Sequence, residues 1–443
     1  MPPRASRRRA PEARGRGGLA ALAILVALCA PGSASAGKGA DEIHWTFTGP
    51  TSVTFDWRGG PATIRYGPTP AYGLTATASA PSPMPFSSAG PFWEAKLTGL
   101  AENAVYHYSI GRGSDHTFRT PPRRGGSDFT FYAEGDIGNG SDWKRMAVVQ
   151  SMIAAGKPDF VLCVGDLTYA TPVGQPAVDR HFDDVMVWSL DAAYMPAWGN
   201  HEWEEPKQDD MRNYKGRFDL PNPQASPRDA DAPWCGGGED WYWFDYGNVR
   251  FIAYPEPWSG AWSDWGRSVR PIMDQAQADS AIAFIVTFGH QPAYSSGYHE
   301  GEPKLREIMD SLGDRCSKYV LNLNGHSHDY ERSHPQHGVV HVTAGVGGAD
   351  LEQPSNRDCP WSGGCPPPAW SAFRAMHHAA IRVRVTASGM ELTVFCGPPS
   401  SGEDEENDVR CGQGSVMDHA AIVARVAQPR PGASSPESDA EPK

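Results

Sequence analysis

Five segments of the sequence share one arrangement of residues. In each segment, a mostly apolar run ends at a glycine, and a residue that can bind a metal ion follows the glycine directly. The five pairs are Gly135-Asp136, Gly165-Asp166, Gly199-Asn200, Gly289-His290 and Gly325-His326. Two segments carry one more residue of this kind, Tyr169 after Asp166 and His328 after His326. Together these residues offer carboxylate, phenolate, amide and imidazole groups, all of which bind metals.

Such a set of ligands suits the hydrolysis of phosphate esters. This reaction brings an anionic nucleophile to an anionic centre. Two cations about 3.5–4 Å apart can hold the phosphate oxygens, lower the pKa of bound water and neutralise the developing charge. One shared carboxylate can bridge two such ions. Imidazole suits Zn(II) or Fe(II), whereas carboxylate and phenolate oxygens favour Fe(III).

The apolar runs before these residues are predicted strands of an α/β region that begins at Phe129. Helical stretches over residues 143–155 and 304–312 lie between such runs. In α/β sheets, sites form where strands end, and neighbouring strand ends lie close together. Extended backbone at His326-Ser327-His328 would place both imidazoles on one side of the chain, where they can face two neighbouring ions.

Residues 41–120 have a different pattern, with short alternating strands separated by turns rich in glycine and proline. The segment 96–100, followed by Tyr106, resembles the end of a fibronectin type III sandwich, where a tyrosine bonds back across a corner. The pattern predicts an all-β domain over 41–122 and a catalytic domain over 127–427. The all-β domain carries no evident chemistry. Residues 428–443 are rich in proline, serine and acidic residues and are predicted to be disordered.

The first 36 residues are predicted to be a signal peptide. An arginine-rich start precedes an apolar run over 19–30 and the small residues Ala34-Ser35-Ala36. We therefore expect a secreted protein, periplasmic or extracellular, with no membrane contact after cleavage. The formal net charge is −13, and cleavage would remove six arginines but only one glutamate. So acidic a surface argues against nucleic-acid binding by general electrostatics.

The cysteines fit an exported protein. Of the eight in the chain, Cys163 lies within an apolar run and is predicted to be a buried, inert thiol. Six others are predicted to form disulfides. Proximity in sequence favours Cys359–Cys365 and Cys396–Cys411, which leaves Cys235–Cys316. A zinc site is disfavoured because the sequence contains no Cys-x-x-Cys pair.

Five blocks, in this order, resemble those of the metallophosphoesterase superfamily. They are Asp136-x-Gly138, Gly165-Asp166-x-x-Tyr169, Gly199-Asn200-His201-Glu202, the His290 segment and Gly325-His326-x-His328-x-Tyr330-Glu331-Arg332. The tyrosine of the second block and Tyr330-Glu331-Arg332 are similar to the purple acid phosphatase branch of this calcineurin-like superfamily. The resemblance implies an α/β fold of two packed mixed sheets flanked by helices, preceded by a small all-β fibronectin type III-like domain.

The resemblance also implies roles for individual residues. Asp136, Tyr169 and His328 would hold Fe(III). Asn200, His290 and His326 would hold Zn(II), Mn(II) or Fe(II), and Asp166 would bridge the two ions. The Tyr169 phenolate on Fe(III) would colour the protein purple. A metal-bound hydroxide would hydrolyse a small phosphomonoester, while His201 and His299 bind phosphoryl oxygens or protonate the leaving group.

The sequence is also compatible with two other functions. The same metal site could hydrolyse phosphodiesters or nucleotides, because the walls of the pocket decide between these substrates. Alternatively, the protein is a secreted binding module with a relic metal site, although a relic has no chemical reason to keep all seven ligands. A serine hydrolase is not indicated, because no Gly-x-Ser-x-Gly sequence occurs. The oligomeric state is left open by the sequence.

Overall fold

The computed structural model describes residues 39–138, 143–170, 174–203, 211–227, 238–256, 261–351, 361, 365–398 and 411–425. The predicted signal peptide and the predicted disordered tail lie outside these residues and stay predictions. The residues described from Gly39 onward belong to one compact unit. No helix in the described ranges is long and apolar enough to cross a membrane.

Seven short strands form the N-terminal region. They are β1 (Asp41–Gly49), β2 (Ser52–Arg58), β3 (Thr63–Gly67), β4 (Leu74–Thr77), β5 (Phe92–Leu97), β6 (Val105–Ile110) and β7 (His116–Arg119). One sheet has the order β1-β2-β5 and the other β4-β3-β6-β7. The backbone N–H of Ala101 donates a 2.9 Å hydrogen bond to Oη of Tyr106, which is the corner contact expected from the sequence. The all-β region is confirmed, and its fibronectin type III assignment and domain boundaries stay predictions.

The rest of the described chain alternates strands and helices. The strands are β8 (Phe129–Glu134), β9 (Phe160–Val164), β10 (Ala193–Ala197), β11 (Trp243–Tyr246), β12 (Val249–Ala253), β13 (Phe284–Phe288), β14 (Tyr319–Asn324), β15 (Tyr330–Ser333), β16 (Val340–Ala344), β17 (Ser371–Ala375), β18 (Ala379–Val385), β19 (Met390–Cys396) and β20 (Val416–Ile422). The helices are α1 (Trp143–Ala155), α2 (Pro176–Asp184), α3 (Met186–Ser189), α4 (Arg212–Lys215), α5 (Ala261–Ala278) and α6 (Pro303–Arg315).

These strands form two mixed sheets. The six-stranded sheet has the order β10-β9-β8-β18-β19-β20, and the seven-stranded sheet has the order β11-β12-β13-β14-β16-β15-β17. Strands β8, β9 and β10 run parallel in the first sheet, and β12, β13, β14 and β16 run parallel in the second. Helix α1 packs on the first sheet, and α6 packs on the second. The predicted α/β fold with mixed sheets is confirmed.

Aromatic side chains fill the space between the two sheets. The ring of Phe131 on β8 lies 5.3 Å from that of Phe251 on β12, and the ring of Phe160 on β9 lies 5.9 Å from that of Phe244 on β11. All four side chains are buried. Edge-to-face pairs of this kind stabilise a core beyond the area that they bury. The packing fixes the strand ends of one sheet against those of the other.

A buried ionic cluster joins the N-terminal sandwich to the rest of the protein. The guanidinium of Arg217 is 2% exposed and donates to Glu42 on β1 and to Asp179 on α2, each at 2.9 Å. It also donates to the carbonyl oxygen of Asn213 at 2.6 Å and to the hydroxyl of Ser87 at 2.7 Å. Arg58 on β2 also pairs with Glu42 at 2.9 Å. The planar fork of arginine suits such a site, because it can hold two carboxylates at once.

The described cysteines bear out part of the predicted pattern. Cys396 and Cys411 form a disulfide, and Cys163 is a buried free thiol, as predicted. Cys365 is also disulfide-bonded, whereas its predicted partner Cys359 lies outside the described residues. The proposed Cys235–Cys316 pair is wrong, because Cys316 is a buried free thiol. That pair rested on elimination alone.

Replacement of Arg217 by methionine should destabilise the protein strongly. Glu42 and Asp179 would lose a buried cationic partner, and breaking one side of a buried ion pair costs about 3–5 kcal/mol. Chemical denaturation of the two proteins would measure the difference in the free energy of unfolding. Arg267→Met is the matched control, because Arg267 is 68% exposed and its pairing with Asp264 is worth less than about 1 kcal/mol. Equal effects of both substitutions would contradict a structural role for the cluster.

Candidate metal centre

Five parallel strands end at the same place, and the seven predicted metal ligands follow their ends. From the six-stranded sheet, Asp136 follows β8, Asp166 and Tyr169 follow β9, and Asn200 follows β10; from the seven-stranded sheet, His290 follows β13, and His326 and His328 follow β14. The structure therefore brings all seven residues together. Their role as ligands stays a prediction, which the geometry of the cluster supports.

The first group of donor atoms surrounds the hydroxyl of Tyr169. Its Oη lies 3.1 Å from Oδ1 of Asp136, 3.2 Å from Oδ2 of Asp166 and 2.8 Å from Nε2 of His328. Nε2 of His328 also lies 3.2 Å from Oδ1 of Asp136. Atoms that bind one ion at about 2.0–2.2 Å lie about 3 Å from one another. The spacing therefore fits a single metal ion with three oxygen ligands and one nitrogen ligand.

The second group surrounds Nε2 of His290. This atom lies 3.1 Å from Oδ1 of Asn200, 3.2 Å from Oδ2 of Asp166 and 3.2 Å from Nδ1 of His326. The group is richer in nitrogen than the first. Oδ2 of Asp166 belongs to both groups, so one carboxylate oxygen can bridge two ions. Cations between these atoms would also offset the mutual repulsion of Asp136 and Asp166, which are both buried.

Outer hydrogen bonds fix which nitrogen of two histidines faces the site. Nδ1 of His290 lies 3.0 Å from the carbonyl oxygen of Val164, and Nδ1 of His328 lies 2.6 Å from that of Asp350. A carbonyl oxygen only accepts, so each Nδ1 carries the proton and each Nε2 presents a lone pair to the cluster. Metal-binding histidines are commonly oriented by a second hydrogen bond of this kind.

The turns that carry the ligands are strained. Asp136, Asp166 and His326 have φ values of 54°, 49° and 71°, in the left-handed region that side chains rarely adopt. The neighbouring chain also passes very closely. A Cβ atom on Gly199 would collide with Oδ1 of Asp166, and one on Gly325 would collide with Oδ2 of Asp136. The recurrent glycine thus leaves room for the carboxylates, and backbone strain of this kind is typical of functional sites.

Glu202 is a supporting residue to which the sequence analysis gave no role. Its carboxylate accepts hydrogen bonds from the backbone N–H groups of Asp166 at 2.9 Å, Leu167 at 2.8 Å and Gly199 at 2.6 Å. Burial, followed by the charge of Asp166, raises the pKa of Glu202 to about 8. One side chain therefore ties together the turns after β9 and β10. The signal in the sequence was its place two residues after Asn200.

A cavity of about 460 Å³ opens onto the cluster, a size that suits a small ligand. Its lining includes five predicted ligands together with His201, Trp203, Glu256, Gln291 and His299. The ring of His201 lies 4.3 Å from that of Tyr169, and the ring of His299 lies 4.0 Å from that of His326. Both predicted catalytic histidines therefore lie at the cavity.

Glu256 and Gln291 form a part of the wall that the sequence did not indicate. Nε2 of Gln291 donates a 3.1 Å hydrogen bond to Oε1 of Glu256. Burial raises the pKa of Glu256 well above its usual value. Gln291 directly follows a predicted ligand, but no pattern in the sequence marks Glu256. A larger cavity, about 550 Å³, lies at β7 and the end of α1, and its lining includes none of the seven predicted ligands.

Replacement of Glu202 by glutamine should weaken metal binding about 10- to 100-fold, the usual effect of losing such a supporting contact. An amide can accept through one oxygen only, so at least one of the three N–H groups would lose its partner. Titration of the metal-free protein with zinc would measure the affinity. Glu331→Gln, a buried carboxylate outside the cluster, should leave the zinc affinity unchanged. An unaltered affinity in Glu202→Gln would rule out the supporting role.

Comparison with known proteins agrees with this geometry. Residues 129–330 match the family model of the calcineurin-like phosphoesterases. A probable inactive purple acid phosphatase 1 of Arabidopsis thaliana is 27% identical over an alignment of 259 residues, and the match covers 51% of this chain and 39% of the relative. An acid phosphatase of Aspergillus ficuum is 26% identical over an alignment of 174 residues, and the match covers 29% of this chain and 26% of the relative. The chain thus spans less than half the length of these relatives.

A solved structure extends the likeness to most of the fold. Purple acid phosphatase PPD1 from yellow lupin (Lupinus luteus) seeds aligns with a TM-score of 0.62 at 19% identity, covering 82% of this chain and 73% of that one. At this identity the likeness concerns the fold. Residues 129–330 therefore match the calcineurin-like phosphoesterase family, and the predicted resemblance to its purple acid phosphatase branch is confirmed.

Proposed function

We propose that this protein is a secreted acid phosphatase that hydrolyses small phosphomonoesters at a binuclear Fe(III)–M(II) centre. The observation that carries the proposal is the position of Asp166. Its Oδ2 atom lies 3.2 Å from Oη of Tyr169 and 3.2 Å from Nε2 of His290. A single oxygen shared by two ligand groups is the arrangement that a pair of adjacent ions requires.

The two ligand groups differ in the metal that they suit. Asp136, Tyr169 and His328 would hold Fe(III), since carboxylate and phenolate oxygens are hard ligands. Asn200, His290 and His326 would hold Zn(II), Mn(II) or Fe(II). When bound, the ions supply positive charge for the phosphate oxygens and lower the pKa of coordinated water.

The other residues of the cavity would bind and orient the ester. The imidazole of His201 is 30% exposed and His201 lines the cavity, while its backbone N–H donates to Oδ1 of Asp166 at 2.9 Å. From the cavity wall the imidazole can donate to a phosphoryl oxygen. His299, stacked on His326, is placed to protonate the leaving alcohol. A general acid of this kind contributes about 10²- to 10⁴-fold to the rate.

Charge and compartment agree with this function. The formal net charge of −13 disfavours nucleic acid as a partner, and the size of the cavity suits a small ester. The Cys396–Cys411 disulfide is typical of proteins exported to an oxidising compartment. These observations support a secreted enzyme.

The metal assignment has a spectroscopic test. The purified protein should contain about two metal ions per chain, including iron, as expected for a two-metal site. It should show a broad visible absorption band from the Tyr169 phenolate. Tyr169→Phe should abolish the band. Tyr298→Phe, at an exposed tyrosine near the cavity, should leave it intact. A colourless wild-type protein with two other metals would overturn the Fe(III) assignment and leave a phosphoesterase centre of a different composition.

The reaction itself is tested with two esters of one phenol. Wild-type protein should hydrolyse the monoester at least about tenfold faster than the bis-ester, and removal of the metals by a chelator should abolish both rates, because the charge that the ions supply is then lost. A faster bis-ester reaction would instead identify a phosphodiesterase. Full metal content without turnover of either ester would favour the binding module with a relic site.

A further inference from the structure

The strand that follows the last metal ligand carries Tyr330, Glu331 and Arg332, whose side chains alternate between the two faces of β15. Tyr330 and Arg332 lie on one face. Oη of Tyr330 and Nε of Arg332 both donate to Oδ2 of Asp418 at 2.7 Å. Glu331 lies on the other face and is 1% exposed. The strand is therefore held from both sides.

Both oxygens of the Glu331 carboxylate accept hydrogen bonds from Ser296. Oε2 accepts the backbone N–H of Ser296 at 2.7 Å, and Oε1 accepts the hydroxyl of Ser296 at 2.7 Å. Oε1 also accepts the hydroxyl of Ser371. The carbonyl oxygen of Ser296 in turn accepts Nε1–H of Trp361 at 3.0 Å. Every polar group of Ser296 is thus engaged.

Ser296 lies in the loop that carries His299. The loop is closed at its base, where the N–H of Glu302 donates to the carbonyl of Pro292 at 2.8 Å. Within it, the N–H of Gly301 donates to the carbonyl of Ser295 at 3.2 Å. Three residues after Ser296, the ring of His299 stacks on that of His326 at 4.0 Å with a 30° tilt. Glu331 therefore holds the loop near its middle, close to the histidine.

We propose that Glu331 is a positioning residue for His299. One short stretch of chain, from His326 to Arg332, then supplies two predicted metal ligands and the carboxylate that holds His299 close to the metal site. A carboxylate suits the role, because both of its oxygens accept, whereas a glutamine offers one accepting oxygen and would make at least one of the three donors turn away or lose its partner. A catalytic group held by a rigid element keeps the geometry that reaction requires. This inference rests on the proposed phosphatase function.

Kinetics of Glu331→Gln test the proposal. With an alkyl phosphate, kcat should fall about 10- to 100-fold, as expected when a catalytic group is displaced by about 1 Å, while KM and the metal content change little. The loss should be smaller with p-nitrophenyl phosphate, whose leaving group needs no protonation. Ser371→Ala removes one bond to the same carboxylate without touching the loop, and Asp418→Asn perturbs the opposite face of β15. Both should retain the wild-type kcat within about twofold.

A double-mutant cycle separates positioning from a general loss of structure. In a His299→Ala background, Glu331→Gln should cause little further loss, because the group that it positions is already gone. Equal fold losses in both backgrounds would overturn the proposal. Ser296→Ala removes the hydroxyl bond to Glu331 and a 3.4 Å contact with Arg374 but keeps the backbone bond. It should lower kcat in the same direction by a smaller factor, which keeps the test valid if Glu331→Gln folds poorly.

Hydrogen exchange tests the same claim without any substrate. Peptides covering residues 292–302 should exchange faster in Glu331→Gln than in Ser371→Ala, since exchange rises where the hydrogen bonds of a loop are lost. Equal exchange in the two variants would overturn the positioning role even if the protein proves to be a phosphatase. Wild-type protein that turns over no phosphate ester would defeat the proposed function alone, because the exchange difference would still report on the loop.

Discussion

The candidate metal centre depends on how the two sheets pack. Three of the ligand-bearing turns belong to one sheet and two to the other, so neither sheet contains a complete site. The rings of Phe131 and Phe160 lie 5.3–5.9 Å from those of Phe244 and Phe251 across the interface. Protein interiors are packed too densely for one sheet to slide by even an ångström at low cost. The distances between the predicted metal-binding atoms are therefore set by the packing of a hydrophobic core to which none of the seven predicted ligands belongs.

The turns themselves carry a cost that the surrounding hydrogen bonds offset. A residue held in the left-handed region costs about 1–3 kcal/mol, and Asp136, Asp166 and His326 all lie there. Carboxylates placed near the turns help to hold them. The N–H of His326 donates to Oδ2 of Asp136 at 2.9 Å, and Glu202 accepts the N–H of Asp166. The ligands are thus fixed before any ion binds, which is what a centre of defined geometry requires.

The N-terminal sandwich is tied to this framework by charge. Arg217 bridges Glu42 and Asp179 with almost no exposure to solvent, and Phe47 of β1 packs 5.8 Å from Phe160 in the core between the sheets. A sandwich that swung away would expose apolar surface and separate the Arg217 guanidinium from Glu42. The sequence suggested a separate companion domain, because strand patterns and linkers are local features. The contacts that join the two regions span more than a hundred residues and leave no local pattern.

The same distinction explains what the sequence revealed of the site. Glycine followed by a ligand is a local pattern, so its five occurrences predicted which residues meet. The carboxylates of Glu202, Glu256 and Glu331 each accept an N–H from a residue 35 or 36 positions away. Nothing near Glu256 or Glu331 in the sequence indicates these partners. The predicted Cys235–Cys316 disulfide was wrong for a related reason. It rested on no local pattern, and the Cys316 thiol is free. Residues within one ordered block nevertheless cooperate physically. Asn200 offers a ligand atom, and Glu202 holds the turn before it by accepting the N–H of Gly199. One block therefore contains both a predicted ligand and the residue that fixes its position.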